Sequence, residues 1–304
     1  MSPSPPFDPV PGQACWIEPD IRRVLAPNPS PMTFRGTNSY LVGRGGGVAV
    51  IDPGPDDATH LGALLAALMP GERVEAIFVT HAHLDHSPLA PRLAERTGAP
   101  VYGFGPAMAG RSALMAGLAA RGAPGGGEGV DTGFHPDHTL ADGDRVSGDG
   151  WSLTALHTPG HFAGHLCFFA GPRAFSGDHV MGWASSLVSP PDGDMGAYMT
   201  SLDRLAAAAP DRLHPGHGAP VAEAVPRIAE LAAHRRAREA AILAALGAGP
   251  ATAAILAERI YTDTPPALLP AAIRNVFAHL IDMSDKNAVT HDGDLSPAAR
   301  FHRL

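Results

Sequence analysis

The chain has 304 residues, of which 45% are hydrophobic and 17% charged, and its net charge is −8. These values fit a globular chain with a sizeable core and exclude a disordered or collagen-like one, despite 35 Gly and 31 Pro. The negative balance argues against a broad electrostatic grip on nucleic acid, and two cysteines, Cys15 and Cys167, are too few for a disulfide framework or a cysteine zinc site.

Residues 1–12 are Pro-rich and read as a loose tail without the basic and apolar regions of a secretory leader. No apolar run approaches the ~20 residues that span a bilayer, so a cytoplasmic chain with no membrane partner is expected. Residues 39–42 and 48–52 read as strands around a Gly-rich turn at 43–47. Residues 58–69 have helical spacing and stop at Pro70-Gly71. A strand at 74–80 runs directly into His81-Ala82-His83-Leu84-Asp85-His86, followed by a helix at 87–97 and a short strand at 100–102. This alternation predicts a layered α/β fold.

Residues 109–121 read as helix and the Gly-rich stretch 122–133 as mobile. Between 139 and 169 the pattern turns to β, at 145–146, 151–157 and 165–169, where Cys167 reads as a buried thiol. A strand at 175–177 ends at Asp178, a helix follows at 194–208, and a strand at 211–213 leads to His214-Pro215-Gly216-His217-Gly218. After Pro226 a long Ala/Arg-rich helix (227–246), two more helices (251–260 and 266–283) and a short β-wing (288–294) fit a small winged-helix module. The expected organisation is a tail at 1–12, a catalytic domain at 13–225 and a winged-helix-like domain at 226–304.

Sixteen histidines are the unusual count. His81-x-His83-x-Asp85-His86 places two imidazoles two residues apart after a strand, with an Asp-His pair just beyond. Imidazole nitrogen and carboxylate oxygen are donors that zinc accepts. Three further turns, each after a strand, extend the set: Thr158-Pro159-Gly160-His161, Ser176-Gly177-Asp178 and Pro215-Gly216-His217-Gly218. Seven metal-capable side chains exceed the needs of one ion and match two, with one carboxylate shared.

The set resembles that of the metallo-β-lactamase-fold hydrolases. The resemblance implies an αββα sandwich with a small C-terminal helical/winged-helix domain. It implies two Zn2+, with Mn2+ or Fe as alternatives at one or both positions. His81, His83 and His161 would hold one ion, Asp85, His86 and His217 the other, and Asp178 would bridge them. A water held between the two ions becomes acidic enough to attack as hydroxide near neutral pH, and Asp85, with Asp178, is the catalytic carboxylate expected to relay the proton. Asp52 would orient the metal-bearing loop; Asn38, Thr158 and His179 are further residues of the pocket or its support.

Of the other histidines, His157 and His165 are expected to pack or hydrogen-bond, and His214 to be structural. His60, His135 and His138 are expected at the surface, while His234, His279, His291 and His302 fall in the C-terminal module. Asp at 178 rather than Cys, and no leader, argue against antibiotic hydrolysis. The motif Gly-Cys-Gly-Arg of hydroxyacylglutathione hydrolases is replaced by His179-Val180-Met181-Gly182-Trp183. The segment 28–43, with Asn28-Pro29-Ser30-Pro31 and Gly36-Thr37-Asn38-Ser39-Tyr40, is similar to the β-lactamase-like protein 2 subfamily, as is the appended module. Its animal members are endoribonucleases, which implies attack on phosphodiesters of single-stranded RNA. Thioester or small-ester hydrolysis is the alternative. A nucleic-acid-binding regulator is a second alternative, against which residues 226–304 hold nine Lys/Arg and eight Asp/Glu. There Arg235, Arg236 and Arg238 are expected on a solvated helix face, with one side of a groove as the alternative. A redox member with iron at the same ligands would need a flavin module or relay that this sequence lacks. A dimer is left open.

Overall fold

The computed structural model describes residues 7–122 and 129–304. The first half folds as β1 (Cys15–Glu18), β2 (Ile21–Leu25), β3 (Asn38–Val42), β4 (Gly47–Ile51), α1 (Ala58–Ala66), β5 (Arg73–Phe78), α2 (Ala90–Thr97), β6 (Val101–Gly103), α3 (Ala113–Ala120) and β7 (His138–Thr139). These seven strands form one sheet in chain order, antiparallel from β1 to β4 and parallel from β4 to β7. The second sheet contains β8 (Arg145–Gly148), β9 (Trp151–His157), β10 (Leu166–Ala170), β11 (Arg173–Gly177) and β12 (Arg212–Pro215), with α4 (Met195–Ala207) before the last strand. Its order is β12-β11-β10-β9-β8, and β11–β12 is the parallel pair.

The sheets stack face to face because alternate residues of their strands are apolar. Tyr40, Val42, Ala49, Ile51 and Phe78 from the first sheet meet Leu153, Ala155, Leu166, Phe168 and Phe175 from the second. The other face of the first sheet is covered by α1 and α2 through Leu61, Leu64 and Leu93. The outer face of the second sheet is covered by α4 and by α5 (Ala224–Leu246), through Leu202, Leu205, Ile228 and Leu231. The result is the expected αββα sandwich. Helix starts are set locally: Asp57, Ser112 and Asp194 accept backbone N–H bonds at the N-termini of α1, α3 and α4.

The rest comprises α6 (Ala253–Ile260), a 3-10 turn at Pro266–Leu268, α7 (Leu269–Asp285) and the antiparallel pair β13 (Val289–His291) and β14 (Phe301–Arg303). Their core of Leu256, Val276, Phe277, Leu280 and Phe301 also takes Ile242 and Leu246 from the end of α5 and Met115 and Leu118 from α3. α5 therefore runs unbroken between the two hydrophobic cores.

Several expectations are corrected. The β1–β2 hairpin is not legible in the sequence, because β2 carries Arg22 and Arg23 at buried positions; Arg22 Nη1 bonds Ala67 O at 2.6 Å and Glu72 Oε2 at 2.7 Å. Residues 7–12 are not loose: Phe7 stacks on Phe34, and Gly12 N donates to Leu25 O at 2.8 Å. Residues 1–6 of the expected tail lie outside the described residues, as do 123–128 of the stretch expected to be mobile. Residues 129–131 are tied to the metal-motif loop through Leu84 N to Gly129 O (3.0 Å) and Asp131 N to Ala82 O (2.9 Å). His60 is fully buried rather than on the surface, its Nε2 lying 2.9 Å from Ser39 Oγ. Among the described residues no helix is long and apolar enough to cross a membrane.

Candidate metal centre

The seven predicted residues converge at one edge of the sandwich, where strand ends of both sheets meet. The loop after β5 brings His81, His83, Asp85 and His86; the turn after β9 brings His161; Asp178 directly follows β11, and His217 lies in the turn after β12. Glycine permits the close approaches. A Cβ on Gly160 (φ +148°) would lie 2.4 Å from Tyr198 Cα, and one on Gly216 would lie 2.5 Å from Asp178 Oδ1 and 2.6 Å from His86 Cε1.

Two groups result. His81 Nε2 and His161 Nε2 lie 2.9 and 3.1 Å from His83 Nδ1. In the second group His217 Nε2 lies 3.1 Å from Asp85 Oδ2 and 3.3 Å from Asp178 Oδ2, and His86 Nε2 lies 3.5 Å from Asp85 Oδ2 and from Asp178 Oδ1. Asp178 Oδ2 is also 3.8 Å from His161 Nε2, so this carboxylate stands between the groups. The candidate ligand atoms within each group lie within 4.8 Å of one another, and all seven residues are buried. His86 Nε2 and Asp178 Oδ1 have no hydrogen-bond partner. Such buried orphans are costly, and a cation in the second group would satisfy them, while the three imidazoles of the first converge on a second position. The donor set thus fits two metal ions.

The outer nitrogens of His81, His86, His161 and His217 are occupied, which fixes the orientation of those rings; the outer Nε2 of His83 has no hydrogen-bond partner. Asp52 sits at φ +49° between the ends of β4 and β5; its Oδ2 lies 2.9 Å from His86 Nδ1, and its Oδ1 accepts Thr80 N at 2.7 Å. Thr80 Oγ1 lies 3.0 Å from His81 Nδ1. His217 Nδ1 bonds Gly36 O at 3.1 Å and His161 Nδ1 bonds Leu187 O at 2.6 Å. Asn38 Nδ2 holds the His217 turn through Pro215 O (3.0 Å) and Gly218 O (2.9 Å). Thr158 does not reach the ligand atoms; its Oγ1 lies 2.9 Å from His165 Nδ1 and 3.3 Å from Cys167 Sγ. His179 is buried against the Tyr198 ring. Sequence reasoning missed Thr80, Gly36 and Leu187, two of which act through backbone carbonyls that any residue supplies.

Electrostatics divide the groups. Burial, reinforced by neighbouring imidazoles, lowers His81 far below its usual range and His83 to about 3. Burial also lowers His161. Three neutral imidazoles are what metal ligation requires. Burial opposes the charged form in the second group too, but there the pairs prevail. Asp178 and Asp85 raise His217 to about 10, and Asp85, Asp178 and Asp52 hold His86 well above its usual range. His86 and His217 in turn bring Asp85 down to about 2 and Asp178 well below the carboxylate range. This group is built around positive charge, which protons or a divalent cation can supply.

Residues 32–217 match the model of the metallo-β-lactamase superfamily. The chain belongs to that superfamily. Residues 252–299 match the β-lactamase associated winged helix domain. The β-lactamase-like protein 2 homolog of Drosophila melanogaster is 31% identical over 271 residues, 86% of each chain. An atrochrysone carboxyl ACP thioesterase of Aspergillus fumigatus is 29% identical over 237 residues, 76% of this chain and 66% of that one. A metallo-β-lactamase family protein from Thermus thermophilus superposes with a TM-score of 0.74 at 27% identity, over 95% of this chain and 100% of the other.

The metallo-β-lactamase centre opens into a cavity of about 240 Å³. His83, Asp85, His161 and Asp178 form its floor; Met181, Trp183 and Leu187 form one wall. The C-terminal module adds a further wall through Tyr261, Leu268, Ala272 and Asn275. Among the described residues lining it there is no Arg or Lys.

Proposed function

We propose that the chain is a dinuclear zinc hydrolase of esters or thioesters with an apolar acyl part. The observation that carries this reading is the cavity lining: apolar side chains on both walls, no cation among the described residues, and the carboxylates Asp85 and Asp178 on the floor. Such a lining favours a neutral carbonyl compound over a polyanion. The likeness to a fungal ACP thioesterase supports the same choice.

His81, His83 and His161 would hold one zinc, and Asp85, His86 and His217 the other, with Asp178 between them. The same donors also suit Mn2+ or Fe. The bound pair would supply Lewis-acid polarisation of the carbonyl and acidification of a water. The chain itself does the rest. Met181, Leu187, Leu268 and Ala272 strip water from the acyl chain and fix the carbonyl over the floor. Asp85, held by His217 Nε2 at 3.1 Å, takes the proton of the attacking water on its carboxylate and returns it to the departing thiolate or alkoxide.

Cleavage of single-stranded RNA is the second reading. Besides the β-lactamase-like protein 2 likeness, a ladder of rings at the cavity mouth favours it. Phe34 stacks on Trp183 with centroids 5.0 Å apart, Arg35 lies over Phe34, and Trp183 is partly exposed. Bases stack on such platforms, but a phosphate track would require cations that the cavity wall does not present. A DNA-reading regulator is disfavoured because the N-terminal part of α7 faces the cavity through Ala271, Ala272 and Asn275.

The deciding experiment presents the zinc-loaded chain with a series of acyl thioesters and, separately, an end-labelled single-stranded RNA, each beside Asp178→Ala. Metal-dependent thioester hydrolysis that the variant lacks is the expected result. RNA cleavage with inert thioesters would overturn the acyl reading.

A further inference from the structure

Each of four candidate ligand histidines has an outer partner, and three of the four partners belong to the sandwich. His81 leans on Thr80, His86 on Asp52 and His217 on Gly36 O. The fourth differs. Leu187 O, the partner of His161 Nδ1, lies in an irregular strap between β11 and α4, and that strap is held from α5 and the C-terminal module.

The holding groups are specific. Arg235 Nη2 on α5 donates to Ser186 O, the carbonyl before Leu187. Val188 N, the amide after it, donates to Asn275 Oδ1 on α7 at 3.0 Å. Arg235 Nη1 also donates to Asn275 Oδ1, at 3.2 Å. The peptide groups on both sides of Leu187 are therefore pinned by two side chains that also bond each other. Ser186 Oγ adds a bond to His179 O at 2.9 Å.

Arg235, expected on a solvated face, is 1% exposed, lies over the Tyr198 ring and pairs with no carboxylate among the described residues. A buried guanidinium without a counter-charge costs folding free energy. Its retention is explained if its position matters. A carbonyl can only accept, so Leu187 O requires the proton of His161 on Nδ1 and leaves the Nε2 lone pair facing the centre.

We propose that Arg235 and Asn275 are positioning residues: they clamp residues 186–188 so that Leu187 O orients His161 in the three-histidine group. The C-terminal module thereby tunes one metal position and not the other. The inference rests on the two-metal reading of the centre.

The test is a stepwise Co2+ titration of the full chain, followed by visible absorption with a competing chelator, for the wild type, Asn275→Ala and Asn275→Asp. Asn275 is half-buried and accepts both bonds through one oxygen, so the alanine variant frees Val188 N and Arg235 Nη1, leaving only the Arg235 bond to Ser186 O, while the aspartate variant keeps an acceptor. In Asn275→Ala one binding step should weaken roughly tenfold, the lower end of what outer-partner losses cost, with the other step within about twofold. Asn275→Asp should restore the weakened step. Two unaltered steps in Asn275→Ala, equal weakening of both, or an aspartate variant no better than alanine would each overturn the clamp. A wild type that takes up fewer than two Co2+ ions would sink the two-metal reading, and the clamp with it.

Discussion

Asp52 Oδ2 lies 2.9 Å from His86 Nδ1 and 2.8 Å from Thr80 Oγ1, so one carboxylate orients a ligand ring directly and reaches His81 through Thr80. Asp52→Ala should therefore weaken both metal positions. A loss of about 10–100-fold in affinity is expected. Metal content after dialysis against graded chelator would measure it. Retention of both ions at wild-type affinity would show that the β5 loop holds its own shape.

Asp178→Ala removes the one carboxylate that touches both groups. Metal-dependent hydrolysis should fall by more than the roughly 10–100-fold that loss of an outer partner brings, while the far-ultraviolet circular dichroism stays that of the wild type. With Asp85 as the one carboxylate left facing His86 and His217, the variant's affinity for a second ion should also fall. A two-ion stoichiometry by elemental analysis at full affinity would contradict the bridging role.

Acid should destabilise the fold partly through His279. This ring is 1% exposed and neither nitrogen is hydrogen-bonded. Burial, then the Arg235 guanidinium, pushes it down from 6.5 to about 3. Its unfolded form takes a proton near 6.5 and the folded form only near 3, so the stability is whole above about pH 6.5 and drains away as pH falls toward 3. Between pH 7 and 4.5 this residue should cost roughly 2–3 kcal/mol. Urea unfolding of His279→Leu at the two pH values should show a smaller loss than the wild type. Equal losses would exclude His279 as a contributor.

The C-terminal wall of the cavity should set acyl specificity. Leu268→Ala removes apolar surface from that wall. For long-chain thioesters kcat/KM should drop about tenfold, in the range that a few methylene contacts decide, with acetyl thioesters little changed. A uniform drop for all chain lengths would place Leu268 outside the acyl path.

The candidate metal residues are legible in the sequence because each motif is short and follows a strand. A short turn after a strand end decides locally which side chains point outward, so His81, His83, Asp85 and His86 can be read together, and His161, Asp178 and His217 one turn at a time. The two-sheet layering follows from period-two apolar patterns such as Trp151–His157. What lies beyond sequence is pairing over distance. His60 reads as a surface residue of α1, but the face of α1 that turns inward meets Ser39 of β3 and buries it. Arg22 hides β2, because a buried arginine breaks the apolar alternation and its partner Glu72 lies across the α1–β5 connection. Arg235 sits in an arginine-rich stretch of α5 whose exposure α4 and α7 decide, and the helix periodicity alone does not distinguish it from Arg236. Chain-local chemistry determined the donors and the strand ends that present them. Only the stacking of two sheets, and the docking of α7 against their edge, decided which carbonyls orient the rings and what walls the cavity, because those contacts join residues whose separation in sequence carries no local signal.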